Sequence, residues 1–455
     1  MELLIASSSV ADTGIGCWDL ESGAEQLRYK SCASPPHGLA CVGQRFLASS
    51  QLREQPSASS GSILYWSWSK PQVEVKSLPA EPIKPIAANS HGTYIAGGGQ
   101  SGDIYMWEVK SSVASGRLLK KWHAHYRAVT CLVFSEDGSF LISGSEDGCV
   151  RIWSLLTVFE ECESQRASHL YLHSFTGHTL RITDIVIGYG GVSATIVSAS
   201  EDRTCKVWSL LKGRLLRNIV FPSVIDAIAL DPAEHVFYAG SRDGSIYIAA
   251  LNAESPSTSS YGMHIIGSLS DHSKAVTCLA YSTGDLLISG SEDGMVRVWD
   301  PITHNIVRMF RLAKGPVNNI LVVRRPLYLN LGSFSNPHTS SRRHGSQLPP
   351  PLDKYVTSAD EDVDKKGVIR LPSLYNAPRD ASYISHRTIE NHIKELQQQG
   401  SSAATEMEVE RLKRECNRTL QMVQQWKKMY ENLHEFCVNE LLDGDQVDGS
   451  KRNVV

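Results

Sequence analysis

The sequence predicts an all-β fold, a seven-bladed propeller, with an amphipathic α-helix near its C-terminal end. Three observations carry this: a motif that recurs seven times, alternating apolar segments separated by tight-turn pairs inside each recurrence, and a strict 3.5-residue apolar period after the last one.

The recurrence is clearest in "SGSEDGCVRIWSL" (143–155), "SASEDRTCKVWSL" (198–210) and "SGSEDGMVRVWDP" (289–301), each with Ser, Asp four residues on and Trp six further on. Weaker copies keep the same ruler at "SSVADTGIGCWDL" (8–20), "SSGSILYWSW" (59–68), "AGGGQSGDIYMWEV" (96–109, Ser101 in the Asp place) and "AGSRDGSIYIAAL" (239–251). The Trp positions are Trp18, Trp66, Trp107, Trp153, Trp208, Ala249 and Trp299, 41 to 55 residues apart. Within one unit, "AVTCLVFSEDGSFLISGSEDGCVRIWSL" (128–155) has three alternating apolar segments divided at Asp137-Gly138 and Asp147-Gly148, the signature of tight antiparallel hairpins. "LYLHSFTGH" adds a fourth. Four strands every forty-odd residues make one blade, which has too little core to stand alone, and seven blades around an axis bury both faces of each.

The N-terminal segments "ELLIASSS", "GIGCWDL" and "EQLRYKS" are three strands lacking an innermost partner, and "PVNNILVV" (316–323) is a strand left over after the seventh unit. Pairing them closes the ring over residues 1–332 and hides two sheet edges.

Composition bounds the function. Hydrophobic residues are 42% and charged residues 20% of the 455, enough for large cores. The net charge of −3 exerts no long-range pull on nucleic acid, so RNA contact needs a local patch or a partner. Ten cysteines are scattered with no C-x-x-C pair, as expected of free thiols in a reducing compartment. "MELLIASSSVAD" has no basic leader and no apolar run approaches membrane length, which predicts a soluble, unsecreted protein.

A Ser, His and Asp recurring together invite a hydrolase reading, but an active site is not built once per blade. G-x-S-x-G, H-E-x-x-H and G-x-x-x-x-G-K-[ST] do not occur. His123 and His125 of "HAHY" offer two metal ligands without a third nearby. The acidic runs "DEDVDKKG" and "DGDQVDG" miss the calcium-loop pattern, with Lys365 where Gly is needed and Leu371 and Val454 where the bidentate Glu belongs. No catalytic residue, cofactor or metal site is predicted. Three polar insertions, 51–61, 157–169 and 252–262, read as surface loops.

From residue 333 to 382 the chain is rich in Ser, Pro and charge, a polar, partly disordered linker in which only "GVIRLPSL" (367–374) reads as a stray strand. A helical segment follows over 383–442, with a disordered tail at 443–455. In "VERLKRECNRTLQMVQQWKKMYENLHEFC", Val409, Leu412, Cys416, Thr419, Val423, Trp426, Tyr430, Leu433 and Cys437 alternate spacings of three and four. That is a seam for another helix, in a second copy or another subunit. Seven acidic and six basic side chains between Thr405 and Leu442 argue against a cationic membrane or nucleic-acid helix. Folding back onto the propeller is the alternative.

The repeated units resemble the WD40 family. "HAH", "TGH" and "SDH" put His125, His178 and His272 where that family has Gly-His, and Trp-Asp survives at Trp18-Asp19 and Trp299-Asp300. The resemblance implies a hydrogen-bonded network in each of three blades: His125/Ser143/Asp147/Trp153, His178/Ser198/Asp202/Trp208 and His272/Ser289/Asp293/Trp299. With Ala239 and Ala249 in the Ser and Trp places, the unit at 239–251 is expected to lack it and to be locally softer. The whole arrangement, from "MELLIASSS…GIGCWDL" to the heptad helix, resembles the WD repeat-containing protein 18 family. That resemblance implies a non-catalytic scaffold subunit of a Rix-type complex, working with the midasin ATPase on pre-60S particles in the nucleolus and nucleoplasm, tied in plants to meristem maintenance and adventitious root formation. A cullin-ligase substrate receptor is the competing class. Such receptors carry Trp-Asp-x-Arg, and Glu21 and Ile302 stand in the Arg place here.

Overall fold

The computed structural model describes residues 2–10, 13–30, 32–43, 45–53, 60–109, 116–160, 170–251, 265–312, 315–324 and 351–355. Within them the chain forms seven four-stranded antiparallel sheets. Blades two to seven are each consecutive in sequence, over 39–77, 83–123, 129–175, 182–220, 225–270 and 276–311.

The first blade is composite. Asn319–Arg324 pairs with Glu2–Ser7, followed by Ile15–Asp19 and Glu25–Tyr29. The register runs from Glu2 opposite Arg324 to Ser7 opposite Asn319. Both chain ends of the ring therefore sit in one sheet, and the first strands of all seven sheets touch in an unbroken circle.

Position in the blade dictates side-chain pattern. The second strand of the fourth blade, Phe140–Ser145, is buried at every residue because neighbouring blades cover both its faces. An outermost strand such as Arg117–His123 buries only Leu118 and Trp122, its other residues facing solvent or the blade rim. Just before the Trp position, the pairing of third and fourth strands slips by one residue in six blades, at Cys17/Trp18, Met106/Trp107, Ile152/Trp153, Val207/Trp208, Ile248/Ala249 and Val298/Trp299. Ala249 shows that the slip does not need the indole. The Asp-Gly turns require positive φ, and Gly148 supplies +77° without a Cβ clash.

Two departures from the sequence reading concern loops. The insertion at 157–169 opens inside an α-helix, Leu155–Glu160, whose Val158 is fully buried against the fourth blade. Within the 333–382 linker, residues 351–355 lie on the propeller: Leu352 bridges Gly116 and is 5% exposed. A leucine amid prolines finds an apolar slot that its neighbours in sequence do not announce. The 367–374 strand, both acidic runs and the 383–442 helix with Val409, Leu412, Cys416, Thr419, Val423, Trp426, Tyr430, Leu433 and Cys437 lie outside the described residues.

Candidate functional site

Three blades carry the same polar relay. In the fourth, the Trp153 indole N–H donates to Ser143 Oγ at 2.9 Å, and Ser143 Oγ lies 2.7 Å from His125 Nε2. His125 Nδ1 is 3.2 Å from Asp147 Oδ2. The fifth repeats it with Trp208, Ser198, His178 and Asp202, all three links at 2.9 Å. The seventh uses Trp299, Ser289, His272 and Asp293 at 2.8, 2.8 and 3.1 Å. In the fourth and fifth blades one assignment satisfies these links: indole N–H to hydroxyl oxygen, hydroxyl O–H to Nε2, and Nδ1–H to the carboxylate. In the seventh, the Arg297 guanidinium also lies 2.5 Å from His272 Nδ1.

The Asp also closes its own hairpin, accepting the Cys149 N–H at 2.9 Å and the Tyr126 N–H at 3.2 Å in the fourth blade. Burial pushes the Asp147 carboxyl up. The His125 hydrogen bond and these amides outweigh it and hold the group well below the usual carboxylate range, and the Asp202 and Asp293 carboxyls are likewise depressed. Burial lowers the affinity of His125 and His272 for a second proton, against the pull of Asp147 and Asp293.

These trios have the connectivity of a hydrolytic triad but not its access. Ser143, Ser198 and Ser289 have no exposed surface, and each hydroxyl oxygen is already engaged by an indole. They brace the blade, tying its third strand to its second and to the loop that leads into its first. The two histidines of "HAHY" diverge, His123 toward Asp103 at 2.8 Å and His125 toward Asp147. Among the described residues no group of three or more His, Cys, Asp or Glu is placed to hold a metal, and no helix is long and apolar enough to cross a membrane.

Two of the other blades, the third and the sixth, replace the relay rather than leave it open. In the sixth, Phe221 stands where the three relay blades have His, and its ring lies 5.7 Å from Tyr247 and 6.4 Å from Phe237 beside the fully buried Ala239 and Ala249. Asp243 is met there by the Tyr247 hydroxyl at 2.7 Å. In the third, Ser101 occupies the Asp place and the carboxylate arrives from Glu81, bound by the Ser101 amide at 2.8 Å, its hydroxyl at 2.7 Å and the Tyr105 hydroxyl at 2.8 Å. A second serine, missed in the sequence reading, recurs two residues before the hairpin Asp of the fourth to seventh blades. Ser145, Ser200, Ser241 and Ser291 each donate to the carbonyl of an incoming loop residue, Arg127, Leu180, Val224 or Lys274, at 3.1 to 3.2 Å. Its signal was visible, since Ser241 persists in the blade that has lost Ser and Trp.

Two surfaces stand out by their exposed side chains. Beside the relay histidines, Tyr126 is 81% and Leu180 51% exposed, and Arg181, Glu201, Arg242 and Asp226 link the fifth and sixth blades by ion pairs of 3.0, 2.6 and 2.8 Å. The outermost strands of the fourth to seventh blades expose Leu172, Leu215, Ile266, Val307 and Met309. In the connection between the first and second blades, His37 Nε2 lies 2.9 Å from the Thr183 carbonyl of the fifth.

The model of the WD domain, G-beta repeat, matches residues 116–154, 170–209 and 263–300, the units that hold the three relays. Protein ROOT INITIATION DEFECTIVE 3 of Arabidopsis thaliana is 54% identical over 455 residues, covering 99% of this chain and 100% of the relative. WD repeat-containing protein 18 of Bos taurus is 31% identical, covering 92% of this chain and 96% of its own length. The chain belongs to the WD repeat-containing protein 18 family. A more distant relative, the pre-rRNA-processing protein crb3/ipi3 of Schizosaccharomyces pombe, is 27% identical over 70% of this family member and 77% of the yeast chain.

Proposed function

We propose that this chain is a non-catalytic scaffold subunit of a Rix-type pre-rRNA-processing complex, acting with the midasin ATPase on precursors of the large ribosomal subunit. The observation that carries the reading is the full-length likeness to the family above, together with the pre-rRNA-processing name of its yeast relative. The geometry agrees in kind: a closed ring whose Ser-His-Asp sets are buried braces leaves loops, edges and an apolar rim as its working parts. Action in the nucleolus and nucleoplasm follows from the same reading, as does a role in plant meristems and root initiation, the latter in line with the name of the Arabidopsis relative. We assign the seam from Val409 to Cys437 to joining a second copy or another subunit.

Affinity purification of the tagged full chain tests this. Recovery of large-subunit precursors and a midasin-type ATPase is the expected result, and recovery of a cullin adaptor instead overturns it. A chain lacking residues 405–442 is expected to keep a folded propeller and to lose its co-purifying subunits. Unchanged co-purification removes the helix from the assembly.

A further inference from the structure

Residues 351–355 cross the cleft between the outermost strands of the second and third blades, Val75–Ser77 and Arg117–His123. The contacts are those of a held ligand rather than of a loop at rest. Gly116 N–H donates to the Pro351 carbonyl at 3.0 Å and Asp353 N–H donates back to the Gly116 carbonyl at 2.9 Å. Leu352 N–H donates to Ser77 Oγ at 2.9 Å, and the Trp107 indole N–H donates to the Asp353 carbonyl at 2.9 Å. The Leu352 side chain enters the core of Tyr105, Trp107, Val109, Leu118 and Tyr65. A Cβ at position 116 would stand 2.6 Å from Leu352 Cδ2 and 3.3 Å from its Cα, so the glycine lets Leu352 sit this close.

A second observation concerns the groove itself. Ten residues before each relay Trp stands its Ser acceptor, but ten before Trp107 stands Gly97, whose missing Cβ is covered by the Trp107 ring at 2.8 Å. The third blade thus has an indole N–H with no acceptor of its own, and Asp353 supplies one. The second blade shows the alternative, since the buried Trp66 N–H has no partner among the described residues. Ser77 and Trp107 are placed to read a main chain, Gly116 to pair with it, and the apolar slot to read one branched side chain.

We propose that this cleft is a recognition groove for an extended Pro-Leu-Asp peptide and that its ligand is this chain's own Pro351-Leu352-Asp353. The groove fixes where the C-terminal region is rooted: the covalent path to residue 356 starts at the rim of the third blade, not at Arg324 where the ring closes. The 26 residues from 325 to 350 tether the ligand, which gives it an effective concentration on the order of millimolar and makes modest intrinsic affinity sufficient.

Hydrogen exchange on the full-length chain tests it. Leu352→Asp is expected to speed exchange of the amides of Gly116, Leu352 and Asp353 by about tenfold or more, as local opening dictates, with the thermal midpoint of the ring unchanged. A synthetic peptide of residues 346–355 added to that variant is expected to restore protection at Gly116 saturably, and the same peptide carrying Leu352→Ala is not. Trp107→Phe on the Leu352→Asp background keeps a ring in the slot and removes only the donor, so the peptide should bind about fivefold more weakly. Unchanged exchange in Leu352→Asp, or no rescue by the peptide, overturns the proposal. Should Leu352→Asp also lower the thermal midpoint, peptide rescue of that midpoint decides the matter the same way.

Discussion

Ser7 and Asn319, opposite each other in the composite first blade, are joined by their side chains as well as their backbones. Asn319 Nδ2 lies 3.1 Å from Ser7 Oγ, 3.1 Å from Ser34 Oγ and 2.8 Å from the Pro35 carbonyl. One amide therefore pins the last strand, the first strand and the connection to the second blade. Asn319→Leu should cost about 1–3 kcal/mol by leaving buried acceptors unmet, read as a lower denaturant midpoint. Removing residues 1–20 should do more, exposing the edge of the closing strand that paired with Glu2–Ser7 and producing association. A truncated chain that melts like the whole one would show that the ring does not depend on this seam.

The relays predict position-specific losses. Ser143→Ala leaves both the Trp153 N–H and His125 Nε2 without a partner in a fully buried site, and should destabilise by about 1–3 kcal/mol. Ser198→Ala and Ser289→Ala should match it. Equilibrium unfolding of the three variants checks this, and a neutral result would remove the bracing role.

The sixth blade predicts the opposite kind of failure. Restoring the repeat residue with Ala249→Trp should destabilise by about 1–3 kcal/mol or more, because Phe221 and Phe237 already fill the space and Ala239 offers no acceptor. Ser241→Ala should cost about 1 kcal/mol, comparable to Ser145→Ala, since both hold an incoming carbonyl whether or not a relay is present. A Trp at 249 that raised the melting temperature would refute the first statement.

Stability should fall on acidification in two windows. His125 and His272 bind their second proton less readily when folded than when unfolded, so the unfolded chain holds more protons as pH drops below about 6.5, and stability declines there. Asp147, Asp202 and Asp293 have depressed folded pKa values, so their contribution is complete above about pH 4 and is lost as pH falls below it. Urea midpoints measured from pH 8 to pH 3 should be flat at first, then decline, then drop more steeply. A midpoint constant from pH 7 to pH 5 counts against buried neutral histidines.

Much of this was legible in the chain because its evidence is periodic. Blade number follows from a spacing rule that local hairpin geometry enforces, and the three relay sets were implied by the resemblance of those units to the WD40 repeat. Glu81 was not legible: it stands twenty residues before Ser101 and matches no repeat position, yet a carboxylate was needed where Ser101 had replaced Asp. Phe221 was equally silent, an ordinary apolar residue whose meaning depends on Ala239 and Ala249 across the blade. Leu352 lay in a stretch whose composition reads as linker, because composition averages over the one side chain that docks.

By itself the sequence determined the seven units and their hairpins, since each depends on neighbours within about fifty residues and on turn chemistry that repeats. The Ser, His, Asp and Trp of three of them recur at fixed spacing, and their bonding was implied by the family resemblance. Only the tertiary structure decided how the blades without a relay are satisfied and that Pro351-Leu352-Asp353 returns to the third blade. Those outcomes depend on which buried donor or cavity is left over after the ring has closed, and no residue carries that information until its partners are in place.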